Sequence, residues 1–275
     1  MQKTSIISKI IIYFVLGILF LVVIYPLFWI VITSFKDNWA VFQDPTGLPL
    51  KPTFQNYLKV WTMGDFGLYF TNSIIITSIS LLGVLFLAAA AGYGFARYRF
   101  RSSDTLFFVF MLSLVIVSSS IMIAQYRWIS FLGLLNTIPG IILVYLSWTA
   151  FGIIMFRQAF SELPQEIADA AIIDGCSELG IFIRVALPLV RPTIATVAIF
   201  TFVWIWNDFI WPLILLQDPS KQTATLGLLS LRGMYLADWA ILSAGLVITF
   251  MPVLVIYFVL QRHFVQGLTM GALKG

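Results

Sequence analysis

The sequence predicts an all-α membrane protein that crosses the bilayer six times. Hydrophobic residues make up 60% of the 275-residue chain and charged residues only 10%, and the mean hydropathy is +0.99. A water-soluble domain carries about 25% charged residues. Six apolar runs are each long enough to supply the roughly 20 helical residues that cross a hydrocarbon core. Little polar sequence remains for a separate soluble domain, so one transmembrane domain is expected over residues 1–275. The net charge of +4 is scattered between the apolar runs, which fits membrane topology and not a nucleic-acid footprint.

The first run, residues 10–34, follows Lys3 and Lys9 and carries Pro26 as an expected kink. A signal peptide starts in a similar way, but its apolar region is about 7–15 residues long and ends at a small-residue cleavage site. Residues 10–34 are longer and contain no Ala-x-Ala, which predicts a retained first span. The long loop Phe35–Asp65 holds Pro45, Gly47, Pro49 and Pro52 as turn signals. Phe54, Tyr57, Leu58 and Trp61 then fall at helical spacing on one apolar face, suited to the membrane interface or to an outer protein.

The second span is predicted over residues 68–96. Its Ala88-Ala89-Ala90-Ala91-Gly92-Tyr93-Gly94 run is small enough to let helices approach closely, as a packing seam or as part of a gate. The third span is predicted over 105–126. The fourth, over 137–158, starts near Asn136-Thr137-Ile138-Pro139. The fifth, over 192–217, is broken only by Asp208, and the sixth covers 239–261. No internal repeat is visible. An ionisable residue within a span is a functional suspect. Asp208 stands 16 residues beyond Pro192, about 24 Å along a helix, so lining a pore and anchoring at an interface are both open. Trp204, Asn207, Asp208 and the intramembrane Asn72 are the candidate pathway residues.

Basic residues in short connections set orientation. Lys3, Lys9, Arg97, Arg99, Arg101, Arg157, Arg184, Arg191, Arg262 and Lys274 fall on one side, against Lys36, Lys51, Lys59, Arg127, Lys221 and Arg232 on the other. The excess places both termini and the segment Ser161–Pro192 in the cytoplasm.

Ser161–Pro192 holds five of the chain's 12 acidic residues: Glu162, Glu166, Asp169, Asp174 and Glu178. Pro164 suits the first residue of a helix running to Asp174, with Glu166 and Asp169 near its positive end. Ile167, Ala170, Ala171 and Asp174 recur on one small, mildly apolar face. Gly175 is a natural stop. Ser177 is placed to cap a second helix from Glu178 to about Ala186, leading into Leu187-Pro188. By spacing alone, this pattern fits an ordinary connector as well as a docking element.

Asp169-Ala170-Ala171, Gly175, Leu187-Pro188 and Pro192 resemble the EAA loop of bacterial ABC-importer permeases. The resemblance implies a coupling helix that docks on a cytoplasmic ATPase subunit, with Glu166, Asp169, Ala170, Ala171, Asp174, Gly175, Leu187 and Pro188 as its working residues. Asp169 stands where that family usually has glutamate, which keeps the charge and shortens the reach. Trp206-Asn207-Asp208 followed by Pro212-Leu213 is similar to the fifth-span pattern of sugar-importing permeases. Gly267-Leu268-Thr269 and Gly271-Ala272-x-Lys274-Gly275 resemble the tail of the maltose-type branch. In that branch the tail reaches between two ATPase subunits, which implies contacts by Gly267, Leu268, Thr269, Gly271, Lys274 and Gly275.

The resemblance therefore implies the ABC-importer permease fold in a bacterial plasma membrane and binding-protein-dependent uptake of a sugar or oligosaccharide. The implied partners are a second homologous permease, two copies of an ATPase and an extracytoplasmic sugar-binding protein. The chain contains no G-x-x-x-x-G-K-[ST] phosphate loop, so no cofactor is expected on it, and ATP and magnesium are expected on the partner ATPase. It also lacks a nucleophile elbow, an HExxH motif and a cysteine cluster. His263, the only histidine, has no ligand partners at metal-binding spacing, and Cys176 is the single cysteine. The alternatives are a permease for another small polar solute, such as a sugar alcohol or glycerol phosphate, a membrane enzyme, or a channel.

Overall fold

The computed structural model describes residues 6–63, 65–116, 118–234 and 238–272, and it is helical with no strand among them. Three described helices are long and apolar enough to cross a membrane unbroken: Ile6–Ser34, Phe66–Arg97 and the apolar part, Trp239–Val259, of a longer final helix. Three further bent pairs meet the same test, which brings the possible spans to six. The final helix continues to Ala272, past the predicted end at 261.

The predicted third, fourth and fifth spans are each divided. The third becomes helices Ser103–Val115 and Ser118–Phe131. The fourth becomes Ile138–Leu146 and Ala150–Ser161, set at 44°. Here Ser147 turns its hydroxyl back to the Val144 carbonyl at 2.6 Å, and tight backbone bonds from Ser147 to Val144 and from Trp148 to Tyr145 replace the α pattern. Short hydroxyl side chains offer the backbone this local alternative to a helix. The fifth ends at Asn207, because the Asp208 carboxylate accepts from the Ile210 amide at 3.1 Å and favours a turn. A short helix, Ile210–Leu215, follows. The run before it, Glu178–Leu189, meets Arg191–Asn207 at 80°.

The chain forms two compact units, residues 1–67 with 227–251 and residues 68–226 with 252–275. In the first, the helix Ile6–Ser34 is exposed along most of its apolar length, as a lipid-facing helix must be. Beyond its end, Lys36 is buried and donates to the Asp44 carbonyl at 2.6 Å. The Asn56 amide bridges the Ser34 and Lys36 carbonyls at 2.8 and 2.7 Å. The helix Gln55–Met63 turns Val60 inward and leaves Leu58 and Trp61 exposed, with Phe54 exposed just before it. Tyr57, the fourth residue of the expected face, is half-buried, its hydroxyl 2.6 Å from that of Ser34.

In the second unit, one buried cluster joins Ala88, Ala89, Ile153, Phe156, Phe160, Phe182, Ala186, Val190 and Val197. The small-residue run is its seam. A β-carbon on Gly92 would stand 2.6 Å from the Phe156 β-carbon, and one on Gly152 would stand 2.7 Å from that of Ala88. Lipid supplies no hydrophobic drive between helices, so this closeness and the dispersion contacts it permits hold the pair together. At Gly94 a β-carbon meets nothing within 4 Å. Overpacking of this kind costs about 1–3 kcal/mol. Gly92→Val is therefore expected to lower the melting temperature of the detergent-solubilised protein, and Gly94→Ala to leave it unchanged, by fluorescence-detected unfolding.

Candidate coupling segment and pathway residues

The segment Ser161–Pro192 forms an ordered corner. A helix spans Gln165–Ile173, with Pro164 as its cap and not its first residue. Gly175 sits in the left-handed region at φ +79°. Its amide donates to the Ile172 carbonyl at 2.9 Å, and that of Cys176 to the Ala171 carbonyl at 2.9 Å. These two bonds are the paired closure of a glycine-stopped helix. Ser177 caps the next helix by accepting from the Gly180 amide at 3.2 Å. That helix, Glu178–Leu189, widens to π turns over Ile181–Ala186, a feature for which the sequence holds no signal.

Side chains outside the segment strap it in place. The Arg97 guanidinium donates to the Gln165 amide oxygen and stands 3.8 Å from Asp169. The Gln165 amide in turn donates to Asp169 at 3.3 Å. Tyr98 donates its hydroxyl to Glu178 at 2.7 Å. That hydrogen bond, helped by partial burial, raises the phenol above its ordinary pKa, so it stays protonated and donating through the neutral range. Next to the segment, Arg157 joins two other helices to each other, standing 3.6 Å from Asp104 and 3.7 Å over the Phe107 ring. In the sequence Arg97 stands out only as a topology signal, and Tyr98 carries no signal of its own.

The expected small face is divided. Ala171 is only 7% exposed and faces inward, whereas Ala170 is exposed. Glu166, Asp169 and Asp174 are exposed; Leu187 and Pro188 are half-buried where the segment enters the next span. What the corner presents most fully is apolar: Ile173 is 85% and Leu179 65% exposed, with Ile172 and Ile183 beside them. Leu179 and Ile183 line a shallow groove with Asp174, Gly175 and Arg184. Sequence reasoning missed these four apolar residues because their spacing follows no single helical stripe across the corner.

The four pathway candidates separate. Asp208 caps the end of Arg191–Asn207 and accepts from the Tyr145 hydroxyl at 2.8 Å. Asn207 is exposed and donates to the Val203 carbonyl at 2.9 Å. Asn72 is buried and donates to the Ser220 and Gln222 carbonyls at 2.9 and 3.0 Å, which fixes the turn at Pro219–Lys221. Trp204 lines a cleft, with Gln125, Ser147 and Trp148 among its neighbours. Of the C-terminal candidates, Gly267, Leu268, Thr269 and Gly271 lie on the last helix, and Lys274 and Gly275 lie outside the described residues.

The sequence model of the family described as "Binding-protein-dependent transport system inner membrane component" matches residues 85–270. The chain belongs to this family. The match takes in the whole of Ser161–Pro192 and all pathway candidates except Asn72. The permease is 33% identical to the diacetylchitobiose uptake system permease protein NgcG of Streptomyces coelicolor, over 92% of this chain and 85% of that one. It is 32% identical to the arabinooligosaccharides transport system permease protein AraQ of Halalkalibacterium halodurans, over 92% of each. A chain in the crystal structure of a bacterial ABC transporter that imports the acidic polysaccharide alginate matches it with a TM-score of 0.84 at 25% identity, over 96% of this chain and 99% of that one. The permease is thus a multi-pass membrane component of an importer.

The straps predict a local effect. Exposed polar pairs are individually weak. Removing two of them, in Arg97→Gln with Tyr98→Phe, is expected to speed amide exchange over Gln165–Ile173 about fivefold while exchange in the buried spans is unchanged. Mass-resolved hydrogen exchange of the purified protein reads this directly.

Proposed function

We propose that this permease is one of two transmembrane subunits of an ATP-driven importer for a carbohydrate delivered by an extracytoplasmic binding protein. Two copies of a cytoplasmic ATPase drive it through the segment Ser161–Pro192. The exposed isoleucines and leucine of the corner carry the coupling part of this reading. Exposed apolar side chains gathered in one place mark an interaction surface, and family membership supplies the kind of complex to which that surface belongs. The uptake systems named for NgcG and AraQ and the solved alginate importer all handle saccharides, which supports the substrate class.

In this reading Ile172, Ile173, Leu179 and Ile183 seat in the ATPase. Asp169 serves mainly as a strap to Arg97, a task that aspartate performs with one methylene less than glutamate. Ala170, Glu166 and Asp174 rim the contact, and Ala171 packs the corner from within. When ATP draws the ATPase dimer together, the corner moves as a body. Its motion passes through Phe182 and Ala186 to Phe156, Phe160 and the Ala88–Ala89 seam, and so to the spans. The tail residues Gly267, Leu268, Thr269, Gly271, Lys274 and Gly275 form a second ATPase contact. Both termini lie in the cytoplasm, by the excess of basic residues on that side.

Ile173→Glu tests the coupling surface. It is expected to reduce binding-protein-stimulated ATP hydrolysis by the reconstituted complex about tenfold while the two permeases still co-purify. Full stimulation in Ile173→Glu contradicts the assignment. Gly175→Val adds a left-handed penalty of about 1–2 kcal/mol and is expected to weaken coupling as well. Gly175→Asn, which tolerates that conformation, stays near wild type. For topology, a cysteine at Ser102 should react with an impermeant thiol reagent only from the cytoplasmic side, and one at Thr46 only from outside, in a Cys176→Ser background.

A further inference from the structure

The bend between Ile138–Leu146 and Ala150–Ser161 opens on a cleft of about 420 Å³, lined among others by Ser113, Gln125, Ser147, Trp148, Phe151 and Trp204. Ser147 lies 9 residues from Ile138, or about 14 Å along the helix, which is deep within a span about 30 Å thick. Interrupted helices at such depth occur where they are buried in protein or face a water-filled cavity, because their freed backbone groups find no partners in lipid.

The chemistry of the lining is specific. Gln125 donates its amide to the Ser147 hydroxyl at 3.3 Å, and Ser147 donates onward to the Val144 carbonyl at 2.6 Å. Gln125 thereby keeps a carbonyl oxygen and a second amide hydrogen for a ligand. Trp204 is 42% exposed, and the Phe151 and Phe200 rings brace it at centroid distances of 5.2 and 5.8 Å. The Tyr145 ring holds Trp148 edge-on at 4.9 Å. The Ser113 and Ser147 hydroxyls are satisfied within the protein, but the remaining Gln125 oxygen and amide hydrogen would lack partners in hydrocarbon at a cost, so the surface suits water or a solute. No ionisable side chain lines the cleft among the described residues. A charged solute would therefore lie deep in the protein with no counter-charge.

We propose that Trp204, Trp148, Gln125 and Ser147 form a subsite for a neutral sugar in the wall of the translocation pathway. The indole faces take the C–H face of a pyranose or furanose ring, and Gln125 and Ser147 exchange hydrogen bonds with its hydroxyls. The proposal rests on the carbohydrate-import reading and narrows it to uncharged saccharides. It sets this cleft apart from one suited to an acidic polysaccharide such as the alginate of the solved relative.

The test uses the assembled importer in proteoliposomes with its binding protein. The solutes are a saccharide panel that includes diacetylchitobiose, arabino-oligosaccharide and acidic alginate oligosaccharide. Uptake of a neutral saccharide and not of the alginate oligosaccharide is expected. With that neutral solute at saturating loaded binding protein, Trp204→Ala and Gln125→Ala are each expected to lower the uptake rate about tenfold, and Trp204→Tyr to stay within about threefold of wild type. Co-purification with the partner subunits checks assembly, and Gln125→Ala carries the test if Trp204→Ala does not assemble. Wild-type uptake in both alanine variants overturns the subsite and leaves the carbohydrate reading standing. Uptake of the acidic solute alone overturns the neutral-sugar assignment. No uptake of any saccharide overturns the carbohydrate reading and the subsite together.

Discussion

The close approach of the helix Phe66–Arg97 to the helix Ala150–Ser161 is the contact on which the unit of residues 68–226 depends. Ala88, Gly92 and Gly152 leave room for one backbone against the other, and Phe156 and Phe160 fill the space beside them. The same two phenylalanines stack on one another at 5.9 Å, and Phe160 and Tyr93 meet Phe182 at 6.3 and 5.1 Å. Phe182 belongs to Ser161–Pro192, the segment that the basic residues place outside the spans. One packed cluster thus continues from the seam between two helices into the segment Ser161–Pro192. Close-packed interiors transmit displacement because they have few voids into which to relax.

The other half of the design lies where helices stop. The hydrogen bond from Tyr145 to Asp208 joins the end of one interrupted span to the end of another. Asn136 performs a similar service nearby. Its side-chain oxygen accepts from the Asp218 amide at 2.9 Å and its backbone carbonyl from Lys221 at 2.9 Å, while Asn136 itself sits at φ +55°. These bonds supply partners that broken helices lose, and they leave the bend at Ser147 and Trp148 free to line a cleft. In the proposed reading, a stiff seam and an open bend in the same unit divide the labour between carrying force and admitting solute.

The parts that were legible in the sequence are those fixed by local chemistry. Gly175 takes its positive φ and Ser177 caps its helix because glycine and serine do so wherever the chain must turn. The six apolar runs and the small-residue seam are equally direct. The breaks within the third, fourth and fifth runs were hidden because Ser147-Trp148-Thr149 is unremarkable in an apolar stretch, and because the Tyr145 partner of Asp208 is 63 residues distant. Which of Ala170 and Ala171 faces inward depends on the rotation of a nine-residue helix, which Arg97 holds from outside through Gln165 and Asp169, a contact that its own pattern does not reveal. The exposed Ile173 and Leu179 sit on either side of the glycine corner, so no single periodicity could group them.

The most direct measurement of the coupling claim is site-specific photo-crosslinking in membranes that contain the assembled importer. A benzophenone side chain at position 173 should join this chain to the ATPase subunit in high yield, and the same group at position 171, which faces into the corner, should not. Crosslinking from position 173 to lipid or to the second permease alone, with no ATPase adduct, would contradict the account.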